Sequence, residues 1–501
     1  MSKEPAPAVS SKAEDQGLRR SLETRHMTMI AMGGAIGTGL FVASGNSIAT
    51  AGPGGALVAY VAIGLMVYLL MQSLGEMSAW RPTSGSFGDH AANYVSPSFG
   101  FAIGWNYWFN WAITLAAELV AAALVMRYWF PDVPSWIWSA LFLLTVFSLN
   151  ALSTRAYGEG EFWLAAIKVA AVVVFLGLGV LMISGIMGGE PSGFDNWTAG
   201  EAPFVGGPIT ILAIFMVAGF SFQGTELVGV AAGEARDPER TVPKAIRTVF
   251  FRILLFYVGA ITVIGFLLPY THPNLLASDI EDVAISPFTL VLENAGVAFA
   301  SSIMNAVILT AILSAGNSGL YASTRMLWSL AMDGKAPKFL RKLNKRGIPM
   351  RALLATSAFG LLAFGTTWFG DGAVYTWLIN ASALAGFIVW AGIAWTHYKF
   401  RQAFKAQGRS VKELPFRAKF FPAGPIIALA MCLLVIVGQS YEAFINDTVT
   451  PLSLLTSYIG LPLFLAFWFG HKFATKSHAI NPAEADLSRN PQIVDHRGDR
   501  V

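Results

Sequence analysis

Long apolar segments alternate with short polar ones along almost the whole chain. Each apolar segment is long enough to cross a bilayer as a helix of about 20 residues. The pattern predicts an all-α polytopic membrane protein with twelve transmembrane helices, which we call spans 1 to 12. The predicted spans fall at residues 27–51, 56–80, 99–126, 135–154, 160–186, 206–233, 246–268, 293–328, 351–370, 374–396, 422–444 and 452–474. Residues 1–25 are polar, which predicts a cytoplasmic N-terminal segment without a cleavable signal peptide.

The basic side chains predict which ends of the spans face the cytoplasm. Lys168 lies inside span 5 and Arg127 at the outer end of span 3. We assign the other lysines and arginines to the two termini and to the loops after spans 2, 4, 6, 8 and 10. The loops after spans 5, 7, 9 and 11 contain neither residue. Because Lys and Arg accumulate in cytoplasmic loops, both termini are expected in the cytoplasm, including a C-terminal tail at 476–501.

Composition excludes several classes of function. Hydrophobic residues make up 54% of the chain and charged residues 13%, and this charged share is about half that of ordinary soluble proteins. The net charge of +4 follows from the topology and does not indicate nucleic-acid binding. The single cysteine, Cys432, excludes a disulfide framework, and all seven histidines are assigned to loops or segment ends, so we expect no metal site, no haem and no other cofactor.

The chain also lacks the motifs of energy-coupled enzymes. No phosphate-binding loop of an ATP-driven pump occurs. We find no nucleophile, base and orienting group at a usable spacing, so an enzyme is disfavoured. A carrier driven by an ion gradient is the remaining expectation.

Spans 1 and 6 contain glycines where a continuous helix is not expected. Span 1 reads TMIAMGGAIGTGLFVASG, and span 6 reads GFSFQGTELVGVAAGE. Non-helical backbone at membrane depth is tolerated where it lines a cavity or is buried in protein. The two spans are five apart and enter from opposite sides, which predicts a 5+5 inverted repeat. The first repeat covers 26–186 and the second 206–400, with spans 11 and 12 at 420–475 left over. The alternative is close helix packing through glycine.

Unwound helices would offer free peptide groups to a zwitterion. Freed N–H groups and the positive end of a half-helix suit a carboxylate, and freed carbonyls suit an ammonium group. Together they favour an amino acid as the ligand. We expect its carboxylate near Thr38 and Gly39. The amine is expected against carbonyls near Ala35, Phe220 and Gln223.

Two acidic residues lie at membrane depth, where ionisable groups usually mark a transport pathway. Glu226 falls in the interrupted stretch of span 6, where it would pair with freed helix ends or take up a proton. Glu118 lies in span 3 and shares a helical face with Tyr107, Trp111 and Thr114. If that face lines the pocket, Glu118 selects a second positive charge on the substrate. The alternative is a structural carboxylate bonded to a neighbouring helix.

Lys168 is the basic residue predicted to couple transport to protons. It lies about 10 Å into span 5 from the cytoplasmic end. If buried, its desolvated ammonium group would release and regain a proton in each cycle. The alternative is that the side chain snorkels to the interface.

Span 8 carries polar residues at spacings of three and four, which places them on one face of an otherwise apolar helix. Its members are Thr310, Ser314, Asn317, Tyr321 and Thr324. We expect this stripe to line the path of substrate or ion, with Ser314 and Asn317 nearest the site. The alternative is hydrogen bonding between helices.

Five stretches resemble one group of membrane carriers. GGAIGTGLF in span 1, the segment Gly219–Arg240 and the segment Leu309–Lys338 resemble amino-acid permeases of the amino acid-polyamine-organocation superfamily. Within that superfamily, the segments Gly100–Trp111 and Ser286–Gly296 are most similar to bacterial permeases specific for lysine. The resemblance extends from about Gly17 to Gly470.

The resemblance implies a function as well as a fold. It implies the 5+5 fold with two trailing helices, and import of L-lysine with protons across the inner (cytoplasmic) membrane. By similarity, the span 1 glycines bind the carboxylate, and the stretch from Phe220 through Ser221 to Glu226 binds the amine. Phe220 would act as an aromatic gate. Lys168 corresponds to a lysine that replaces a sodium ion in related carriers, and Glu118 to a position in the side-chain pocket.

Three other functions stay open at this stage. The first is a broader carrier that also takes arginine or ornithine, and the second is an exchanger. The third is a membrane sensor that binds lysine and signals through cytoplasmic loops such as Lys335–Arg351. A regulatory membrane partner is not identifiable from the sequence.

Overall fold

The computed structural model describes residues 22–33, 36–41, 43–83, 85–187, 191–235, 237–276, 286–296, 299–438 and 457–489. Across these ranges the chain is helical, and the sole strand-like pairing is an isolated bridge between Leu22 and Ala235. We number the α-helices in chain order: α1 Thr24–Gly33, α2 Thr38–Phe41, α3 Ala43–Trp80, α4 Ser86–Tyr94, α5 Pro97–Met126, α6 Ser135–Leu152, α7 Thr154–Ile183, α8 Asp195–Thr198, α9 Pro208–Ala213, α10 Phe215–Phe222, α11 Leu227–Ala231, α12 Pro238–Arg252, α13 Gly259–Leu267, α14 Pro273–Leu276, α15 Pro287–Asn294, α16 Ala300–Met332, α17 Met350–Ser357, α18 Thr366–Phe369, α19 Asp371–Ala406, α20 Ala423–Gly438 and α21 Gly460–Thr475.

Many of these helices are long and apolar enough to cross a membrane. In the described part of the chain, nine segments meet that criterion: Ala43–Trp80, Pro97–Met126, Ser135–Leu152, Thr154–Ile183, Pro208–Glu234, Pro238–Leu267, Ala300–Met332, Met350–Phe369 and Trp377–Ala406. α20 is a shorter apolar helix. The prediction of an all-helical, multi-pass membrane protein is therefore confirmed. Predicted spans 11 and 12 extend into residues outside the described ranges.

Span 1 is built from separate helical pieces. α1 ends at Gly33 and α2 begins at Thr38. Its last part forms the start of α3, in which Gly52 has a positive φ of 76° and turns the chain into span 2. The carbonyl oxygen of Pro203 accepts hydrogen bonds from Gly54 (2.9 Å) and Gly55 (3.2 Å) at this corner. Span 1 is thus interrupted at mid-length, as the glycines predict.

Span 6 is interrupted as well, and it lies directly against span 1. α10 ends at Phe222, Gly224 has a φ of 92°, and α11 starts at Leu227. A β-carbon at Gly39 would lie 2.5 Å from the Cα atom of Ser221. Since atoms cannot approach so closely, only glycine permits this contact between α2 and α10. The two interruptions therefore adjoin.

α5 is the central helix of the bundle. In its most apolar window, 94% of the residues are buried, against 22% in α6 and 28% in α7. The exposed faces of α6 and α7 carry large apolar side chains such as Leu144, Trp163 and Val174, as expected of helices that face lipid. α5 supplies the inner wall of the site described below.

The assignment of basic side chains to loops and termini is wrong for Arg252 and Arg325. Both are 1% exposed and lie within helices. Arg325 on α16 forms an ion pair with Glu234, with Nε and Oε1 2.8 Å apart. Arg252 donates hydrogen bonds to protein oxygen atoms inside the bundle. Pairing inside the protein makes burial of these charges tolerable.

The assignment of every histidine to a loop or segment end is wrong for His397. Predicted span 10 stops at residue 396, but α19 continues to Ala406. His397 is buried there and its Nε2 lies 3.0 Å from Glu76 Oε1. The Arg401 guanidinium also binds Glu76, at 2.5 and 2.6 Å. The polar residues after 396 continue the helix because they satisfy one another inside the protein.

Candidate substrate site

A pocket lies where the two interrupted spans meet α5 and α16. Its space between the atoms amounts to about 300 Å³, part of it open to solvent. It is lined by Gly37, Thr38, Gly39, Trp111, Thr114, Glu118, Phe220, Gln223 and Ala315. The lining is mostly apolar, with one ionisable group, Glu118.

The structure brings half of the twelve sequence-predicted binding residues together in this lining. These six are Thr38, Gly39, Trp111, Glu118, Phe220 and Gln223. Five others are buried but do not line the pocket: Tyr107, Ser221, Glu226, Ser314 and Asn317. Ala35 lies outside the described residues.

The Glu118 carboxylate lies at the pocket and receives few hydrogen bonds to offset the cost of burying it. The side chain is on α5 and is 5% exposed. Its Oε1 accepts a long hydrogen bond of 3.4 Å from the Thr38 hydroxyl. Its Oε2 is buried and accepts no hydrogen bond from the described residues. A buried carboxylate oxygen without a partner is costly, so this atom is suited to receive a cation or a proton.

A hydrogen-bond network fixes the pocket wall opposite span 1. The hydroxyl groups of Thr114 and Ser382 lie 2.6 Å apart, and Ser382 donates to Asn110 Oδ1 at 2.8 Å. Gln223 Nε2 donates to the carbonyl oxygen of Ala383 at 3.2 Å. α19 thereby positions the non-helical stretch of span 6. Sequence reasoning missed Ser382 and Asn110, although Asn110 lies four residues before Thr114 on the same helical face.

Glu226 stabilises the interruption of span 6. It is buried, and its carboxylate accepts hydrogen bonds from the Gly224 N–H at 3.2 Å and from Trp390 Nε1 at 3.1 Å. The carboxylate thus satisfies a backbone N–H that the broken helix leaves free. Its predicted pairing with a freed helix end is present.

Lys168 and Arg252 satisfy carbonyl groups at the end of α1 and in the interruption that follows it. Lys168 is fully buried, and its Nζ donates to the carbonyl oxygens of Gly33 (2.5 Å) and Ile36 (3.0 Å). The ammonium group therefore lies at the interruption and does not snorkel. Arg252 donates to the carbonyl oxygen of Ala31 and to the Thr225 hydroxyl, so it joins both interrupted spans.

Arg252 was missed by sequence reasoning, although a signal for it exists. On α12, Val249 follows Ala245 by four residues and Arg252 follows Val249 by three, and both Ala245 and Val249 are buried. That spacing places it on the buried face of the helix. A hydropathy scan attributes a basic residue near a span end to the interface and overlooks this position.

The polar stripe of α16 faces other helices. Ser314 and Asn317 donate to the carboxylate of Glu161 on α7, at 2.6 and 3.5 Å. Asn317 Oδ1 accepts from Asn150 Nδ2 on α6 at 2.8 Å. Tyr321 donates to Glu234 Oε1 at 2.7 Å. These contacts agree with the alternative that the stripe bonds helices together.

The features above define a class of protein: a polytopic helical membrane protein with two interrupted spans around an acidic central pocket. The family model for amino acid permeases matches residues 26–480. The chain therefore belongs to the amino acid permease family, whose members are transporters and not enzymes.

Several known proteins are similar over nearly their whole length. The lysine-specific permease LysP of Escherichia coli (strain K12) is 56% identical over 478 residues, which is 95% of this chain and 98% of that protein. The lysine-specific permease LysP of Lactococcus lactis is 52% identical over 96% of this chain and 95% of that protein. The histidine permease HisP of the same organism is 46% identical over 94% and 98%.

Proposed function

We propose that this protein is a secondary active transporter that imports L-lysine across the cytoplasmic membrane by alternating access, coupled to protons. The observation that carries the proposal is the buried carboxylate of Glu118, with one oxygen unpaired, in a pocket between two interrupted spans. Similarity to two lysine-specific permeases over almost the full chain supports the choice of substrate.

We assign the three charged groups of lysine to three sets of groups at the pocket. The α-carboxylate lies near Thr38 and Gly39, where the first N–H groups of α2 have no intrahelical partner. The α-ammonium group lies against backbone carbonyl groups at the end of α10, near Phe220 and Gln223. The side-chain ammonium group binds Glu118 and removes the cost of its unpaired oxygen.

The membrane topology of the proposed transporter has twelve spans in a 5+5 arrangement. The nine long segments, the divided span 1, the shorter apolar helix α20 and the C-terminal helix α21 support this count. Interruptions five spans apart support repeats at 26–186 and 206–400, followed by 420–475. The distribution of basic residues supports cytoplasmic termini, at 1–25 and 476–501, in the inner membrane.

Proton coupling is assigned to Lys168, with Glu226 as a second candidate. The charged ammonium group of Lys168 joins α7 to the interruption of span 1 through the carbonyls of Gly33 and Ile36. A neutral amine donates fewer and weaker hydrogen bonds. Release of the proton therefore loosens α1 from α7 and favours opening toward the cytoplasm.

Lysine uptake into proteoliposomes under an imposed pH gradient tests the proposal. We expect the wild-type protein to accumulate radiolabelled lysine when the outside is acidic, and Lys168→Ala to lose accumulation because it lacks the titrating group. Unlabelled arginine, ornithine and histidine, added as competitors, measure the breadth of the substrate range. Lysine binding without any uptake would contradict transport and favour a sensor.

A further inference from the structure

The buried glutamates of the described chain differ in what surrounds their charge. Glu76 is held by Arg401 at 2.5 and 2.6 Å, and Glu234 by Arg325 at 2.8 Å. Arginine only donates hydrogen bonds and stays charged. Each of these two carboxylates is therefore paired with a permanent positive charge.

Glu161 on α7 has a different environment. It is fully buried and does not line the pocket. Among the described residues, the Ser314 hydroxyl donates to it at 2.6 Å and the Asn317 amide at 3.5 Å, and the Ser318 hydroxyl also faces it. No basic nitrogen of the described residues lies within 4 Å of its carboxylate. A hydroxyl group donates or accepts, and an amide offers both functions. These partners therefore accommodate the carboxylate and the carboxylic acid alike, as a residue that gains and loses a proton requires.

Glu161 also shares a helical face with Lys168. The two are seven residues apart, or two turns and about 10 Å along the axis. The charges of Glu161 and of the pocket residue Glu118 both act on the Lys168 ammonium group. Lys168 is thus influenced by one carboxylate in the pocket and by a second one outside it.

Among the described residues, no other compensating charge faces Glu161 from the helices around it. On its own helix it faces Lys168 and Tyr157, and on α16 it faces the neutral Ser314, Asn317 and Ser318. α6 contributes the neutral Asn150 through Asn317. The ionisable residues of α1, Arg25 and His26, contact Glu159 instead. α13 contains no ionisable residue, and the glutamate of α15 is exposed and bound by Ser301.

We propose that Glu161 is a second proton-coupling residue, which takes up the proton that Lys168 releases; this inference rests on the proposed proton-coupled transport. An N–H bond of the ammonium group breaks and an O–H bond forms on the Glu161 carboxylate. Both charges disappear together, so the pair stays neutral in total. Because Glu161 is nearer the N-terminal end of α7, which is cytoplasmic in the proposed topology, the proton moves inward.

The test compares two assays on Glu161→Gln in proteoliposomes. Accumulation driven by a pH gradient requires proton transfer, whereas counterflow of labelled against unlabelled lysine requires only binding and the conformational change. We expect accumulation to fall at least about tenfold and counterflow to stay within about twofold of wild type. Glu161→Asp, which keeps the titrating group, should restore part of the accumulation. Glu201→Gln, on the exposed loop before α9 and outside this network, is the matched control and should behave as wild type.

Two results would overturn the proposal. Accumulation by Glu161→Gln equal to wild type would show that no proton passes through this residue. Equal loss of counterflow and accumulation, in a variant that still elutes as a folded protein on gel filtration, would assign Glu161 a structural role only. Absence of accumulation by the wild-type protein would instead contradict the proposed function, so the two failures are distinguishable.

Discussion

Glu118 is buried deeply and yet has little compensation for its charge. Only one hydrogen bond, from Thr38 at 3.4 Å, reaches its carboxylate from the described residues. Glu226, at the interruption of span 6, receives bonds from a backbone N–H and an indole. The difference suits Glu226 to stabilise the backbone and Glu118 to bind a ligand.

Replacing Glu118 with glutamine should weaken lysine binding by about 10- to 100-fold, because one charge-assisted pair contributes about 1.5–3 kcal/mol. Norleucine, which resembles lysine without the terminal ammonium group, should compete relatively better in the variant. The measurement is inhibition of labelled lysine uptake by each compound. Glu201→Gln, on the exposed loop before α9, serves as the control, and an unchanged lysine affinity in Glu118→Gln would remove this residue from the pocket.

Six of the predicted binding residues line the pocket, and they could be identified because the sequence signals for them were local. Thr38 and Gly39 lie in a glycine cluster, and Trp111 and Glu118 share one face of a helix. Ser314 and Asn317 also share a face, but a periodicity does not say which helix that face meets. Glu161, their partner, lies 153 and 156 residues away along the chain.

At the scale of the helices, the interruptions depend on how closely α2 and α10 pass. A β-carbon at Gly39 would lie 2.5 Å from the Cα and 2.9 Å from the backbone N of Ser221. Backbone atoms cannot move aside as a flexible side chain can. The two helices therefore have to separate to accept any side chain at this position.

Gly39→Ala should abolish most lysine uptake and lower the thermal unfolding temperature, because separating α2 from α10 opens the packed core around the pocket. Gly177→Ala is the matched control, since a β-carbon at this position inside α7 meets nothing within 4 Å. Alanine favours a helix over glycine by up to about 1 kcal/mol. The control should therefore be as stable as wild type or more so, with normal uptake; normal uptake by Gly39→Ala would contradict the close contact.

Hydropathy predicted which segments are helical but not where they end. The run at 374–396 lengthens to Ala406 in α19 because Glu76, His397 and Arg401 satisfy one another. The runs of spans 1 and 2 meet in α3 at Gly52, where the carbonyl of Pro203 stabilises the corner. The end of α19 and the turn at Gly52 both depend on residues that are distant in the sequence. A local hydropathy pattern contains no information about those residues.

At the scale of the whole molecule, the segment Lys476–Arg489 joins helices that are far apart in sequence. Ile480 N–H donates to the carbonyl oxygen of Val95 at 2.8 Å, and Asp486 pairs with Arg81 at 2.7 Å. Gln407, just after α19, donates to the carbonyl oxygen of Ala485 at 2.8 Å. The sequence predicts only a polar C-terminal tail here. The contacts are made by single side chains and backbone groups, so they produce no hydrophobic periodicity that would reveal them.

The buried carboxyl group of Asp89 predicts that the stability of the protein depends on pH. Asp89 on α4 lies outside the spanning helices, and burial, assisted by the Asp333 carboxylate, raises its pKa from 3.8 to about 6. The folded state then binds more protons than the unfolded state between these values. The contribution of Asp89 to the free energy of unfolding therefore decreases as the pH rises from about 4 to about 6.

Asp89→Asn should raise the thermal unfolding temperature at about pH 8 and leave it nearly unchanged at about pH 3, where the wild-type residue is mostly protonated in both the folded and the unfolded state. The gain in free energy of unfolding should stay below about 3 kcal/mol. Unfolding of detergent-solubilised protein, followed at both pH values, measures it. Asp132→Asn on the exposed loop before α6 is the control. A gain equal at both pH values would contradict an effect of Asp89 ionisation.

The contacts of Lys476–Arg489 have a practical consequence for anyone who labels this protein. A fluorescent reporter spliced directly behind α21 would pull this segment away from Arg81, Val95 and Gln407. The same reporter placed after residue 489 leaves all three undisturbed. The attachment point, rather than the reporter itself, decides whether the labelled protein resembles the unlabelled one.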